Sequence, residues 1–348
     1  MLYFSKLRIT LITLVSFFFI FIASSNFQNP ENSFISKRIN LGLDLQGGSY
    51  LLLEIDNGPI EIQKLQNKTT FIRNYLKNIK VIFTDLRIED KTIFFSISPK
   101  DKIMIESLFT DKESEINPYY SQYKSHQFDL TINENEFKLK LSKYGLIEIK
   151  TSSQDQAIEI VRRRVDEVGT NEPNIVKRGN NRILVELPGL DDPMRIKSLL
   201  GKTANLTFRF ITKKNNDTFG VETLKFEDGS NDALVSKRII LSGENLLDAQ
   251  VQINNQTNET VVSFTLDRVG AKRFGKATRA GIGKQLAIVI DGKVVSAPII
   301  RDAIVSGSGQ ISGNFTFQSA TDLALLLRSG ALPAPLNIIE ERTVGPDL

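Results

Sequence analysis

A single long apolar run, Ile9–Ala23, stands near the N-terminus, and nothing else in the 348 residues approaches it. Counted from Leu7 to Phe27, it supplies about the 20 residues that a hydrocarbon core of roughly 30 Å demands. The expected layout is therefore one transmembrane helix with its short leader, over residues 1–29, ahead of a bulk that folds in water. Lys6 and Arg8 precede the run, and positive flanks are retained in the cytoplasm, which places everything after Asn26 outside. Ala23-Ser24-Ser25 offers small residues at a plausible cleavage site, so a removed signal peptide is the competing reading.

The length leaves room for two to three domains with a substantial core. The absence of cysteine excludes disulfides, thiol chemistry and Cys-ligated metal sites, and fits either side of a bacterial membrane. A formal charge of +4, with acids and bases interspersed, gives no reason to expect nucleic acid as a partner.

After the glycines at 42, 47 and 48, Ser49–Ile55 reads as a strand. Ser152 and Ser153, three residues before Asp155 and Gln156, predict a capped helix running to Val168. Ala157, Ile158, Val161, Val165 and Val168 make its apolar stripe, and Gly169 its left-handed cap. Asn174–Arg178 and Arg182–Leu187 form a hairpin across Gly179-Asn180-Asn181. Asp192-Pro193 opens a short helix ending at Gly201, and Ala204–Phe210 closes the series as a strand. The predicted fold class is α+β: a ferredoxin-like βαββαβ base over 40–210, interrupted by a structured insertion over 57–150. Within the insertion, strands are expected at Val81–Phe83, Thr92–Ile97, Phe128–Thr131 and Phe137–Leu141, with helices near Glu61–Lys77 and Lys100–Asn117.

The polar stretch Thr212–Asn231 marks a boundary, and 211–315 reads as an inserted α+β head. It holds strands at Arg238–Leu241 and Thr260–Leu266 and a helix from Val269 to Ala280. Leu286–Ile290 meets Lys293–Val295 across Asp291-Gly292. A helix at Ser319–Ser329 and a strand at Leu336–Glu340 return the chain to the base over 316–348. Two crossing strands near 211 and 316 make Phe210, Ile211, Phe315 and Thr316 the expected hinge.

No motif points to catalysis. Gly281-Ile282-Gly283-Lys284 lacks the hydroxyl residue and the earlier glycine of a P-loop, and Gly307-Ser308-Gly309 lacks the third glycine of a dinucleotide fingerprint. His126, the single histidine, lies in a polar segment and reads as a surface residue. Asp191-Asp192 is better explained as a helix cap than as an acid–base pair. Arg162-Arg163-Arg164 reads as a solvated, salt-bridged helix face, because Glu159, Asp166 and Glu167 stand four residues from its members. No enzyme, cofactor or metal site is expected.

The segment Leu41–Asp56 (LGLDLQGGSYLLLEID) closely resembles the opening of the periplasmic part of the SecD family, membrane-embedded accessory subunits of the bacterial Sec export machinery. Ala157–Gly169 (AIEIVRRRVDEVG), Arg182–Gly189 (RILVELPG), Leu286–Ile304 (LAIVIDGKVVSAPIIRDAI) and Leu325–Pro335 (LLLRSGALPAP) resemble later family motifs in the same order. Leu41, Gly42, Asp44, Gln46, Gly47 and Gly48 are the family-motif residues, with structural rather than catalytic roles.

The resemblance implies an uncleaved anchor in the inner membrane, a cytoplasmic N-terminus and a periplasmic base and mobile head. It also implies unfolded preprotein as substrate and SecF, SecYEG and YajC-type subunits as partners, with head movement driven by the proton gradient. Gln252, Val295, Pro298 and Val305 are the head positions expected to meet preprotein. The family continues after Gly345-Pro346 into five more membrane helices bearing the proton-carrying residues. The chain is accordingly expected to be a truncated or separately encoded part of such a protein. A secreted periplasmic scaffold and the periplasmic part of an efflux transporter of the related RND superfamily are the alternatives.

Overall fold

A computed structural model describes residues 6–24, 47–170, 173–189, 193–212, 220–229, 231–254 and 258–345. Helix α1, Lys6–Ser24, is apolar all round: Leu7, Ile12, Phe17 and Ile20 point in four directions and are each more than half exposed. Among the described residues, no helix is long and apolar enough to cross a membrane.

The chain then runs through β1 (Gly48–Ile55), α2 (Gly58–Asn78), β2 (Phe83–Glu89), β3 (Thr92–Ile97), α3 (Lys102–Thr110), β4 (Tyr119–Tyr120) and β5 (Ser125–His126). Next come β6 (Phe128–Asn133), β7 (Glu136–Leu141), α4 (Lys143–Val168), β8 (Asn174–Arg178), β9 (Arg182–Pro188) and α5 (Pro193–Gly201). The head strands are β10 (Leu206–Phe210), β11 (Val221–Lys225), β12 (Asp232–Ser236), β13 (Leu241–Ser242), β14 (Leu246–Ile253) and β15 (Thr260–Leu266). Helix α6 (Arg268–Ala280), β16 (Leu286–Ile290), β17 (Lys293–Ser296), β18 (Ser308–Ile311), α7 (Phe317–Ser329) and β19 (Leu336–Val344) complete it.

The base sheet has the order β19-β1-β9-β8, antiparallel throughout. Its closing strand differs from the expectation. Ala204–Phe210 does not join the base; β10 pairs antiparallel with β16 in the head sheet β13-β10-β16-β17, Leu206 opposite Ile290 and Phe210 opposite Leu286. Alternation alone suits either sheet. Phe208 decides it by packing 5.5 Å from Phe264 and 5.4 Å from Phe274 in the head core. Strand β19 takes the vacant edge of the base, Leu336 opposite Ile55 and Val344 opposite Gly48.

The insertion folds as the sheet β2-β3-β7-β6 with α2 and α3. Its buried Leu65, Ile72, Phe95 and Phe137 form one continuous core with Leu51, Leu53 and Ile55 of β1, so it shares the base's interior.

Helix α4 starts earlier than its serines suggest. Ser142 caps it, accepting from the Gly145 amide at 2.9 Å, and Ser152 and Ser153 lie inside it. Gly145 permits this start because a Cβ there would sit 2.3 Å from the carbonyl oxygen of Gln127. Gly169 ends the helix with φ 82°, as expected. In the head, Arg238–Ile240 is not strand; only Leu241–Ser242 pairs, with β10.

Candidate functional site: the joint between base and head

Helix α7 has two buried faces. Ala320, Ala324 and Leu327 belong to the head core with Phe208 and Phe264. Leu325 and Leu326 instead pack on Leu199 and Ala204, with Val168 of α4 against them, in a small separate cluster. The helix is thus shared between head and base, and the backbone passes between the units at 202–205 and 330–335. These two segments run side by side, the Leu332 amide donating to the Thr203 carbonyl at 2.9 Å.

Arg164 of α4 holds them. It is 1% exposed, and its guanidinium donates to the carbonyls of Leu199 (2.7 Å), Lys202 (2.5 Å), Thr203 (3.3 Å) and Gly330 (3.2 Å). The C-termini of α5 and α7 both converge on this cation, each supplying the orphan carbonyls and negative dipole end that favour positive charge. Burial lowers its pKa to about 10, with the carboxylate of Asp291 opposing the shift. The group stays charged at neutral pH.

Asp291, at the tip of the β16–β17 hairpin, grips the same segment from the head side. It accepts from the Thr203 hydroxyl, the Ala204 amide (3.1 Å) and the Asn205 amide (2.8 Å). Two ion pairs flank the joint: Arg195 of α5 with Asp322 of α7 at 2.9 Å, and Arg328 of α7 with Glu167 of α4. Beside it opens a cleft of about 600 Å³ lined by apolar residues, among them Ile290, Val295 and Phe315, and by charged ones, among them Lys202, Asp291 and Asp322.

The residues singled out from sequence scatter around this joint. Phe210 lies within β10, and Ile211 bridges to Val235 of the head. Phe315 packs on the head core, and Thr316 caps α7 through the Ser319 amide. All four expected hinge residues therefore sit on the head side of the crossings. Val295 walls the cleft, while Gln252 on β14 and Pro298 and Val305 on loops are exposed elsewhere. Leu41, Gly42, Asp44 and Gln46 lie outside the described residues, as does Asp191-Asp192. Gly47 has φ 71° and accepts from the Gly189 amide at 3.0 Å, which seats the motif's end against the base sheet. His126 is half-buried, its Nδ1 3.0 Å from the Asn117 carbonyl. Arg162 is exposed as expected but pairs with Glu159, three residues away, rather than with Asp166, and Glu167 pairs with Arg328; Arg164 is the reverse of a solvated residue. Its signal was available: Arg164 falls beside Val161 and Val165 on the apolar stripe.

Comparison with known proteins places this architecture. Residues 221–334 match the family model described as SecDF, P1 head subdomain. Residues 154–213 match Protein translocase subunit SecDF, P1 domain, N-terminal, and residues 33–58 match the SecD/SecF GG motif. Protein translocase subunit SecD of Rickettsia conorii is 36% identical over 355 residues, covering 99% of this chain and 66% of that protein. The Acetobacter pasteurianus protein of the same name is 35% identical over 365 residues, covering 99% and 67%. A solved SecDF, in what is described as a super-membrane-facing form, superposes with a TM-score of 0.53 at 24% identity over 96% of this chain and 35% of that one; it bears on the fold alone. The chain spans about two thirds of the length of the curated relatives it matches.

Proposed function

Since this chain belongs to the SecD family of protein translocase subunits, we propose that it is a non-enzymatic handler of unfolded preprotein, tethered to the inner membrane, whose head moves against its base. The partners on this reading are SecF, the SecYEG channel and YajC-type subunits, and the proton gradient drives the movement in the complete assembly. The base is read as a ferredoxin-like unit whose fourth strand is β19.

The observation that carries the proposal is the joint. Two adjacent backbone segments and one shared helix connect the units, which allows a swing about a single line and resists sliding apart. The crossings at 202–205 and 330–335 are the hinge on this reading, displaced from Phe210 and Thr316 toward the base. The adjoining cleft mixes apolar residues (Ile290, Val295, Phe315, Leu323) with charged ones (Lys202, Asp291, Lys293), which suits a passing chain recognised without a sequence code. Helix α1 serves as the anchor. Its large apolar side chains are exposed among the described residues, and at about 25 cal/mol per Å² their burial in lipid is strongly favoured.

Crosslinking during export tests the proposal. The chain has no native cysteine, so a photoreactive probe can be placed singly at Val295→Cys, Gln252→Cys, Pro298→Cys or Val305→Cys. Preprotein adducts are expected foremost at position 295. No adduct at any of the four positions overturns preprotein handling, and release of a shortened chain by alkaline carbonate overturns the anchor.

A further inference from the structure

Helix α6 carries five cations, Arg268, Lys272, Arg273, Lys276 and Arg279, and no acid. Gly270, Phe274, Gly275 and Thr278 face the head core, and the Ile304–Val305 backbone lies against the next flank, where a Cβ on Gly275 would come within 3.3 Å of the Ile304 carbonyl. All five cations are exposed. With residues stepping about 100° apart, Arg268, Lys272, Lys276 and Arg279 fall within an arc of about 80° along about 16 Å of helix.

This arrangement opposes folding by itself. Arg268 with Lys272, and Lys272 with Lys276, are like charges four apart, a spacing that costs a few tenths of a kcal/mol per pair. Some cations elsewhere are relieved: Arg87, Lys91, Arg162, Lys177 and Arg182 sit in ion pairs. None of the five on α6 does so among the described residues. The nearest acid in sequence, Asp267, serves as the helix cap, accepting from the Gly270 amide and the Asn245 side chain, and attracts Arg273, which lies off the stripe. At the helix's C-terminal end, two exposed isoleucines stand on neighbouring loops: Ile282 at 54% and Ile299 at 59%. Those loops are tied by the Gly283 amide donating to Ile300 at 2.8 Å.

We propose that this face of the head docks on an anionic bilayer surface, with the α6 cations on lipid phosphates and Ile282 and Ile299 dipping into the headgroup layer. A convex stripe without a groove suits an extended sheet of negative charge better than a single polypeptide strand. The membrane is also the polyanion held close by α1, and in this respect the inference rests on the anchoring proposed above. Basic residues flanked by exposed apolar side chains are the pattern of interfacial attachment.

The test uses the full chain with Ala280→Cys, an exposed α6 position, bearing an environment-sensitive dye. It is reconstituted in vesicles of phosphatidylcholine alone or with one third phosphatidylglycerol. A blue shift, and quenching by a headgroup-borne quencher, are expected only with phosphatidylglycerol and should fade as salt rises. Each cation removed weakens docking about fivefold, equivalent to about 1 kcal/mol. Lys272→Gln with Lys276→Gln therefore lowers the docking constant about 25-fold, while the circular dichroism spectrum stays unchanged. The same signal in both vesicle types, or no loss in the double variant, overturns the proposal. So does a response to polyglutamate in neutral vesicles that anionic lipid fails to produce; that result reassigns the stripe to acidic polypeptide. Carbonate extraction of the same vesicles reports α1 separately, so failure of the anchor and failure of the stripe are read independently.

Discussion

Replacing Arg164 by Met tests the joint most directly. Met keeps the length and apolar stem of the side chain, so packing in α4 changes little, but four carbonyls at the joint lose the guanidinium, the Thr203 carbonyl keeping only the Leu332 amide. Hydrogen bonds from a charged donor contribute about 1.5 kcal/mol each at the lower end of their range, or about 6 kcal/mol for the set. Against this stands the cost of burying the cation. The fall in pKa from 12.5 to about 10 corresponds to about 3 kcal/mol, which the variant recovers. The expected net loss is about 3 kcal/mol, read as a lower urea midpoint with unchanged slope. Lysine has one ammonium where arginine has a fork of donors and cannot reach carbonyls on both crossings, so Arg164→Lys should lose most of the same stability.

Hydrogen exchange locates the effect. The Leu332 amide, bonded to Thr203 across the crossings, should lose protection, while amides of β1 and β9 keep theirs. A guanidinium with a pKa near 10 does not titrate between pH 5 and 9, so the deficit should be constant over that range. A loss below about 1 kcal/mol with Leu332 protection intact would refute the reasoning, because it would mean the four carbonyls do not depend on this residue.

Gly145→Ala should destabilise by at least about 2 kcal/mol in thermal unfolding, since the new Cβ would meet backbone at Gln127 rather than a side chain that can rotate away. Lys68, over the rings of Phe71 and Phe128 at 5.0 and 5.6 Å, has its pKa lowered by burial to about 8. At pH 8 it should acylate well ahead of exposed lysines. Because the unfolded chain binds more protons between pH 8 and 10.5, this residue makes stability rise with pH across that window, and Lys68→Met should remove the rise. The Asp267 carboxyl is held below its usual value first by the Gly270 amide and then by the Asn245 side chain. Its contribution is complete above the ordinary value near 3.8 and lost as pH falls through the lowered one, so Asp267→Asn should flatten the acid limb of the stability profile.

Much of the architecture was legible from local pattern. The hairpin across Gly179, the strand Thr260–Leu266, the Asp291-Gly292 turn and the helix ending at Gly169 all depend on periodicity, caps and turn residues carried within one short segment. The family motifs are legible for the same reason, being contiguous. The start of α4 was misjudged because two inner serines imitate a cap, whereas the real one depends on Gly145 fitting under Gln127. The solvent face of α6 is also local, yet only the fold shows that all five of its cations are exposed beside Ile282 and Ile299.

What the tertiary structure alone decided is where segments distant in sequence meet. Residues 204–210 alternate equally well for either sheet, and the choice fell to Phe208 meeting Phe264 and Phe274. Arg162, Arg163 and Arg164 are chemically identical and step about 100° apart around one helix. Only the third is buried, because the ends of α5 and α7 bring Leu199 and Gly330 to that point. Periodicity describes one element at a time; a hinge is a relation between several, set by which side chains and carbonyls arrive together in space.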